Sequence, residues 1–298
     1  MALEPNTTDV LQLLSKNDLE NIFEILKANL PRSIRDHHYL FHYLKNYNAI
    51  KDPCIARDLS ATFKPTFYGP RKRTVGNCTF IAIGEKTPTD YWIFLSTQEE
   101  NGEELIDCLK KTKLIDWFAE PIYFSCDKKY YDKIYEILKI NSNKWIVEEP
   151  EGVYYLSKFK VNLFPDAIIP KTYCIKKLNA ENANVIDDNW SAKYAGSLKL
   201  ITSSIQLNGG LGLFNERDEM ITWMVTNELM CPGFLTVIES ERRKGFGELI
   251  TKEEFKRFVS QYDIDICVRV LRNNLVSSHL MLKLGSQKIT EEIWIGKT

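Results

Sequence analysis

The chain has 298 residues, 44% of them hydrophobic, 12% aromatic and 27% charged, which is enough for one large domain or two of ordinary size. Lys plus Arg number 39 against 40 for Asp plus Glu, a net charge of −1, so the basic excess that advertises a duplex-binding protein is missing. No apolar run approaches the ~20 residues that span a bilayer, so neither nucleic acid nor membrane is expected as a partner. The opening MALEPNTTDV has no basic n-region and no apolar h-region, which argues against a secretory signal. It carries Glu4 and Asp9 but no Arg, unlike a conventional mitochondrial presequence. Seven cysteines (54, 78, 108, 126, 174, 231, 267) are scattered singly with no Cys-x-x-Cys, the pattern of free thiols in a reducing compartment. A cytoplasmic protein is expected, with no metal site.

Residues 10–30 carry Leu11, Leu14, Leu19, Ile22, Ile25 and Leu26 at helical spacing, and Pro31 closes that helix. The stretch 38–50, rich in Tyr, Phe and Leu with rough alternation, reads as a strand. Thr79–Ile83, Tyr91–Leu95 and Ile122–Cys126 are further strands, with helices at 102–112 and 127–139. Asn141–Asn143 is polar, and after it Trp145–Val147 with Val153–Leu156 read as a hairpin. VNLFPDAIIPKTY (161–173) has two prolines and little periodicity, so the division falls there: 1–165 as a mixed α+β domain and 166–298 as a second.

The second half has a clearer rhythm. Strands are expected at Tyr173–Lys177, Leu211–Asn215, Ile221–Thr226, Phe234–Ile238, Asp265–Val270 and Glu292–Ile295. Helices fall at 180–189, 195–206, from the basic loop to Tyr262, and 276–284, the last stopped by Gly285.

Between the fourth of these strands and its helix stands Arg242-Arg243-Lys244-Gly245-Phe246-Gly247. Glycines let such a turn tighten and bring backbone N–H groups close to a ligand. The helix that follows leaves its first N–H groups unpaired and adds a partial positive charge, an arrangement that accepts pyrophosphate. The P-loop spacing is absent, and the dinucleotide fingerprint would need glycine where Ile250 stands. The remaining Arg-x-x-Gly-x-Gly is either a solvated basic turn or a phosphate cradle.

That hexamer resembles the acyl-CoA loop of the GCN5-related N-acetyltransferase superfamily. Downstream, Asn274 is followed by Ser277, Leu280 and Leu284-Gly285, which resembles the later segment of the same superfamily, in the expected order and on the expected elements. Leu30-Pro31-Arg32-Ser33-Ile34, Leu114-Ile115-Asp116-Trp117, Trp190, and Trp223 nineteen residues before Arg242 narrow the likeness to the glycine N-acyltransferase family. The resemblance implies an α+β acyltransferase fold in the second half, with the first half a related domain or a degenerate copy. It also implies acyl-CoA as cosubstrate, an amino acid such as glycine as acceptor, and a mitochondrial location as the alternative to the cytoplasm. An arylalkylamine or peptide N-terminus as acceptor, or a non-catalytic acyl-CoA-binding member, are the competing readings.

On this resemblance Arg242, Arg243, Lys244, Gly245, Phe246, Gly247 and Glu248 form the pyrophosphate loop and helix start. The strand Leu235, Thr236, Val237 and Ile238 takes the pantetheine and thioester, and Asn274 bonds the pantetheine or holds the splayed strands. The catalytic groups depart from relatives. The position of the superfamily's Tyr acid is Met281, and that of the family's Glu base is Cys231, with Glu228 three residues earlier. Glu228 or Cys231 is therefore the candidate base and His279 the candidate acid. His37, His38 and His42 read as ordinary histidines, and the second basic cluster, Arg71-Lys72-Arg73, as a solvated loop or a contact for the cofactor's adenosine phosphate.

Overall fold

The structure is a computed structural model that describes residues 9–72, 74–142 and 144–297, the side chain of Val75 excepted. The N-terminal Glu4, Arg73 of the second basic cluster and Asn143 lie outside the described residues.

The first half opens with β1 (Leu11–Leu13), α1 (Lys16–Ala28) and α2 (Ile34–Lys45), then two short helices, α3 (Tyr47–Lys51) and α4 (Pro53–Ala56). It continues through β2 (Thr66–Pro70), β3 (Phe80–Ile83), β4 (Trp92–Ser96), α5 (Glu103–Lys111), β5 (Ile122–Asp127), α6 (Tyr131–Asn141), β6 (Ile146–Val147) and β7 (Glu151–Leu156). After α7 (Lys158–Val161) and an irregular stretch, the second half runs β8 (Tyr173–Lys177), α8 (Ala183–Asp188), α9 (Ser197–Asn208), β9 (Gly210–Asn215), β10 (Met220–Thr226) and β11 (Pro232–Val237). It ends with α10 (Phe246–Tyr262), β12 (Ile266–Leu271), α11 (Leu275–Lys283) and β13 (Gln287–Lys297).

Apart from the short α3, α4 and β6 of the first half, the two halves repeat one order of elements: strand, two helices, three strands, helix, strand, helix, strand. Their sheets are nonetheless interlocked. One sheet runs β1-β2-β3-β4-β5-β13-β7-β12, with β6 on β13, and the other runs β11-β10-β9-β8. The last strand of each half has crossed to the other: β13 pairs with β5, and β7 pairs with β12. The registers match under a pseudo-twofold, because Glu292 lies opposite Asp127 as Glu151 lies opposite Leu271. The axis passes between β7 and β13, where Glu151 and Glu292 face each other directly. The expected α+β fold is present; the long sheet is mixed through the parallel pair β4–β5, and the four-stranded sheet is antiparallel throughout.

Three expectations are corrected. Residues 38–50 are helical, in α2 and α3, instead of a strand. Ile34 through Leu40 of α2 are all buried, with His42 and Tyr43, because α1 covers one side of the helix and β12 approaches another. The buried set includes Arg35, Asp36, His37, His38 and His42, so polarity does not mark the exposed side, and the aromatic content of 38–50 imitates a strand. The opening helix likewise starts only at Lys16, capped by Ser15 and Asp18 in a reciprocal capping box, because Leu11–Leu13 is spent on β1. Finally, β6 and β7 do not form a hairpin: each pairs separately with β13.

Candidate active site

β11 and β12 are neighbours in space but form no ladder, each ending its own sheet. The parallel pair is thus open as a fork, and one edge of β11 keeps its backbone groups unpaired by any strand. β11 also bulges: Trp223 lies opposite Thr236 and Val225 opposite Gly233, so β11 spends one extra residue there, with Phe234 left-handed at φ 56°. Leu235, Thr236, Val237 and Ile238 follow the bulge and are all half-buried along the fork.

A single turn of 3-10 helix (Glu239–Glu241) carries β11 into the basic loop. Arg243 is left-handed at φ 64° and Gly245 at φ 83°, and a Cβ on Gly245 would meet nothing within 4 Å. Space therefore remains in front of the loop, and Gly245 caps α10 with no side-chain oxygen on the first N–H groups. Phe246 plugs the loop into the core beside Tyr173, and α10 passes Val237 at Gly247, where a Cβ would make an ordinary contact with Cγ2 at 3.4 Å. Arg242 turns back, its Nε donating to the Val237 carbonyl at 3.3 Å, and Lys244 pairs with Glu241 at 2.9 Å. Glu248 is held by Lys252 at 2.7 Å and Lys283 at 2.5 Å, which pull its pKa down. Arg243 is exposed and makes no side-chain bond to the described residues.

Asn274 caps α11, its Oδ1 accepting the Ser277 N–H at 3.1 Å. His279 is exposed on α11, whereas Met281, at the position of the superfamily's acid, is sunk in the core between α10 and α11. Cys231 is buried, its Sγ donating to the Leu229 carbonyl at 3.4 Å. Burial, with Cys267 beside it, pushes the Cys231 thiol well above its ordinary value, so it stays protonated at neutral pH. Glu228 is only partly exposed; its Oε2 is buried and has no hydrogen-bond partner among the described residues. Burial raises its carboxyl to about 7, Arg269 opposes the rise, and Glu151 and Asp90 add to it.

From the bulge a row of half-buried aromatic rings leads toward the first half. Phe234 meets Trp190 at 4.9 Å between centroids, Trp190 meets Tyr194 at 6.4 Å, Tyr194 meets Trp92 at 6.4 Å, and Trp92 meets Trp294 at 5.2 Å. Asp90 fixes the crossing, its Oδ1 accepting from Tyr194 Oη and Trp92 Nε1, each at 2.9 Å. The first half thus walls the second half's fork, a role that no spacing in the sequence signals.

The first half's own fork is blocked. β4 and β5 pair only from Trp92–Phe94. Beyond that the Arg35 guanidinium enters, donating to the Leu95 carbonyl at 2.9 Å and Ser125 Oγ at 2.8 Å, and lying 3.9 Å from the centre of the Phe94 ring. Glu292 takes Arg35 Nε at 3.0 Å and stands 2.5 Å from Arg269 Nη1. A polar cavity of about 320 Å³ remains there, walled in part by Arg32, Asp36, Asp127 and Lys129. The N-terminus of α5 carries Glu103 and Glu104 where α10 follows Arg and Lys, so it repels phosphate. Arg71 and Lys72 follow β2, near the end of the long sheet opposite β12. His37, His38 and His42 are buried side chains of α2, kept neutral because burial pushes them to about 3, 4 and 3.

Residues 10–137 match the model of a domain of unknown function (DUF5645), and 210–295 match that of the FR47-like protein family. An X-ray structure of a Drosophila protein superimposes with a TM-score of 0.87 at 21% identity, covering 97% of this chain and 99% of that one. A tandem GNAT protein from the clavulanic acid biosynthesis pathway, solved without acetyl-CoA, gives a TM-score of 0.58 at 8% identity over 96% and 98% of the two chains. The fold is that of the GCN5-related N-acetyltransferases, in tandem. The superfamily member from Sphaerobacter thermophilus agrees, with a TM-score of 0.56 at 8% identity over 97% of this chain and 95% of that one. None of the curated proteins matches this chain in sequence. Within the acetyltransferase fold, the open fork and basic loop belong to the second repeat and the blocked fork to the first.

Proposed function

We propose that this protein transfers an acyl group from acyl-CoA to a primary amine at the second fork, by direct attack in a ternary complex. The observation that carries this reading is the unpaired fork between β11 and β12 leading into a left-handed basic loop at the start of α10. Arg243 and Lys244, with the N–H groups opening α10, would hold the pyrophosphate. The free edge of β11 would bind the pantetheine and polarise the thioester carbonyl. The proposed catalytic unit is 166–298, completed by the exchanged strand β7.

Glu228 is the base of this mechanism. A carboxyl near 7 is matched to neutral pH, both accepting and releasing a proton there. The bound ammonium gives one proton to the Glu228 carboxylate. Its lone pair forms the C–N bond, the tetrahedral intermediate collapses with loss of the C–S bond, and the second amine proton leaves with the CoA thiol. Cys231, protonated and buried, takes no part as a base. His279 is exposed on α11 and is the remaining candidate acid.

The resemblance read from the sequence favours an amino acid such as glycine as acceptor. The aromatic row from Phe234 to Trp294 favours a second reading, an amine with an aryl body. Incubating the protein with acetyl-, benzoyl- and longer acyl-CoAs against amino acids, arylalkylamines and peptides, and following thiol release, separates the two. Absence of thiol release with every pair, despite CoA binding, refutes the enzymatic reading.

A further inference from the structure

The strand exchange brings one carboxyl from the first half to the second fork. Glu151 on β7 and Glu292 on β13 hold equivalent places about the pseudo-twofold and face each other across the ladder. Like charges in such a pair repel, so each needs a partner. Glu292 has Arg35, Arg269 and the Ser125 hydroxyl. The matching position on α9, its second residue, is Leu198, so no second arginine enters to neutralise Glu151. Among the described residues Glu151 accepts only the Trp294 indole N–H, at 3.2 Å, and Trp294 ends the aromatic row that starts at the bulge.

Arg269 acts electrostatically on both Glu151 and Glu228. Its side chain is 5% exposed and Nη1 is ion-paired with Glu292, while none of its guanidinium nitrogens has a hydrogen-bond acceptor among the described residues. Oε2 of Glu228 is likewise buried and without a partner among the described residues. The unfilled Glu228 acceptor and the Glu151 carboxyl, beside half-buried aromatic rings, leave bonding capacity for a ligand that donates hydrogen bonds.

Resting on the N-acyltransferase reading above, we propose that Glu151 is an acceptor-site residue contributed by the first half, sharing the ammonium of the incoming amine with Glu228. The two carboxyls act as a pair. Glu151 feels burial first, then Glu292, Arg269 and Glu148, and is raised to about 7. Glu228 feels Arg269, Glu151 and Asp90. A cation entering between them favours ionisation of both, which readies Glu228 to take the proton.

The test is Glu151→Gln, read in two ways. Calorimetric titration of a primary amine into the CoA-saturated protein should show binding weakened about tenfold or more, with CoA affinity unchanged; one lost charge partner is worth at least about one pKa unit. Steady-state kinetics should show a matching rise in KM for the amine. The acidic limb of the kcat/KM profile should move to lower pH, because removing the Glu151 charge lets Glu228 ionise more readily. Glu151→Asp should recover part of both. Equal amine binding by wild type and Glu151→Gln overturns the proposal, as does a wild-type CoA complex that binds no amine. Unchanged CoA affinity shows that the variant is folded. Wild-type amine binding without turnover would instead refute the parent transferase reading and leave the binding comparison to decide this one.

Discussion

Replacing Glu228 with Gln should make the protein more stable above neutrality while disabling it. The carboxyl titrates near 7 in the folded protein and near its ordinary 4.5 in the unfolded chain. Below about pH 4.5 both states are protonated and the residue has no differential effect. Between 4.5 and 7 the unfolded chain releases the proton while the fold retains it, so stability falls as pH rises, and above 7 the loss is complete. The displacement corresponds to about 3 kcal/mol, and solvent screening of this partly exposed residue reduces it to about 1–2 kcal/mol. A neutral Gln escapes the penalty. Urea unfolding of both proteins at pH 5, 6, 7 and 8 should show a gap in favour of the variant that opens with pH. Thiol release should fall by about 10²-fold or more. A gap that is constant across the four pH values, or that closes as pH rises, refutes the raised carboxyl and with it Glu228 as the base.

Arg243→Glu should weaken CoA binding by about 10- to 100-fold in a fluorescence or calorimetric titration, the worth of a charge-assisted phosphate contact. An unchanged Kd would remove the loop from the cosubstrate site. Gly245→Val meets open space, so its effect is backbone strain at φ 83°, about 1–2 kcal/mol by denaturant midpoint. It should be accompanied by weaker CoA binding. Arg35→Ala should cost about 3–5 kcal/mol, because it leaves Glu292 and Asp36 short of a buried partner. A loss below 1 kcal/mol would mean that the plug of the first fork is not structural.

The second half was largely legible because its helices each keep one wet face and its strands are separated by Gly, Pro or polar turns. Arg242 to Gly247 sits where the expected strand and helix put it, and Gly285 is left-handed at φ 86° as a helix stop. Legibility failed where burial removed contrast. α2 shows an almost unbroken run of buried residues from Ile34 to Tyr43, and its aromatic content imitates a strand. It failed again where the decisive neighbour is far away in sequence. Glu151 and Glu228 are 77 positions apart, and Arg35 meets Glu292 at a separation of 257 residues. No local pattern announces that an arginine in one repeat fills the space that stays open in the other. The strand exchange itself leaves no mark on periodicity, since β7 and β13 have the same register whichever repeat they join.

The exchange sets the order of folding against the order of synthesis. β5 cannot gain its second neighbour until Gln287–Lys297 has been made, so Cys126 and Phe124 must wait for Ile293 and Ile295. A nascent first repeat therefore leaves the ribosome with an unsatisfied strand edge, the kind of surface that recruits chaperones or pairs with the wrong chain. The same topology would let two molecules trade these strands with each other as readily as one molecule trades them between its own repeats. Assembly in the cell depends on the intramolecular exchange outrunning the intermolecular one.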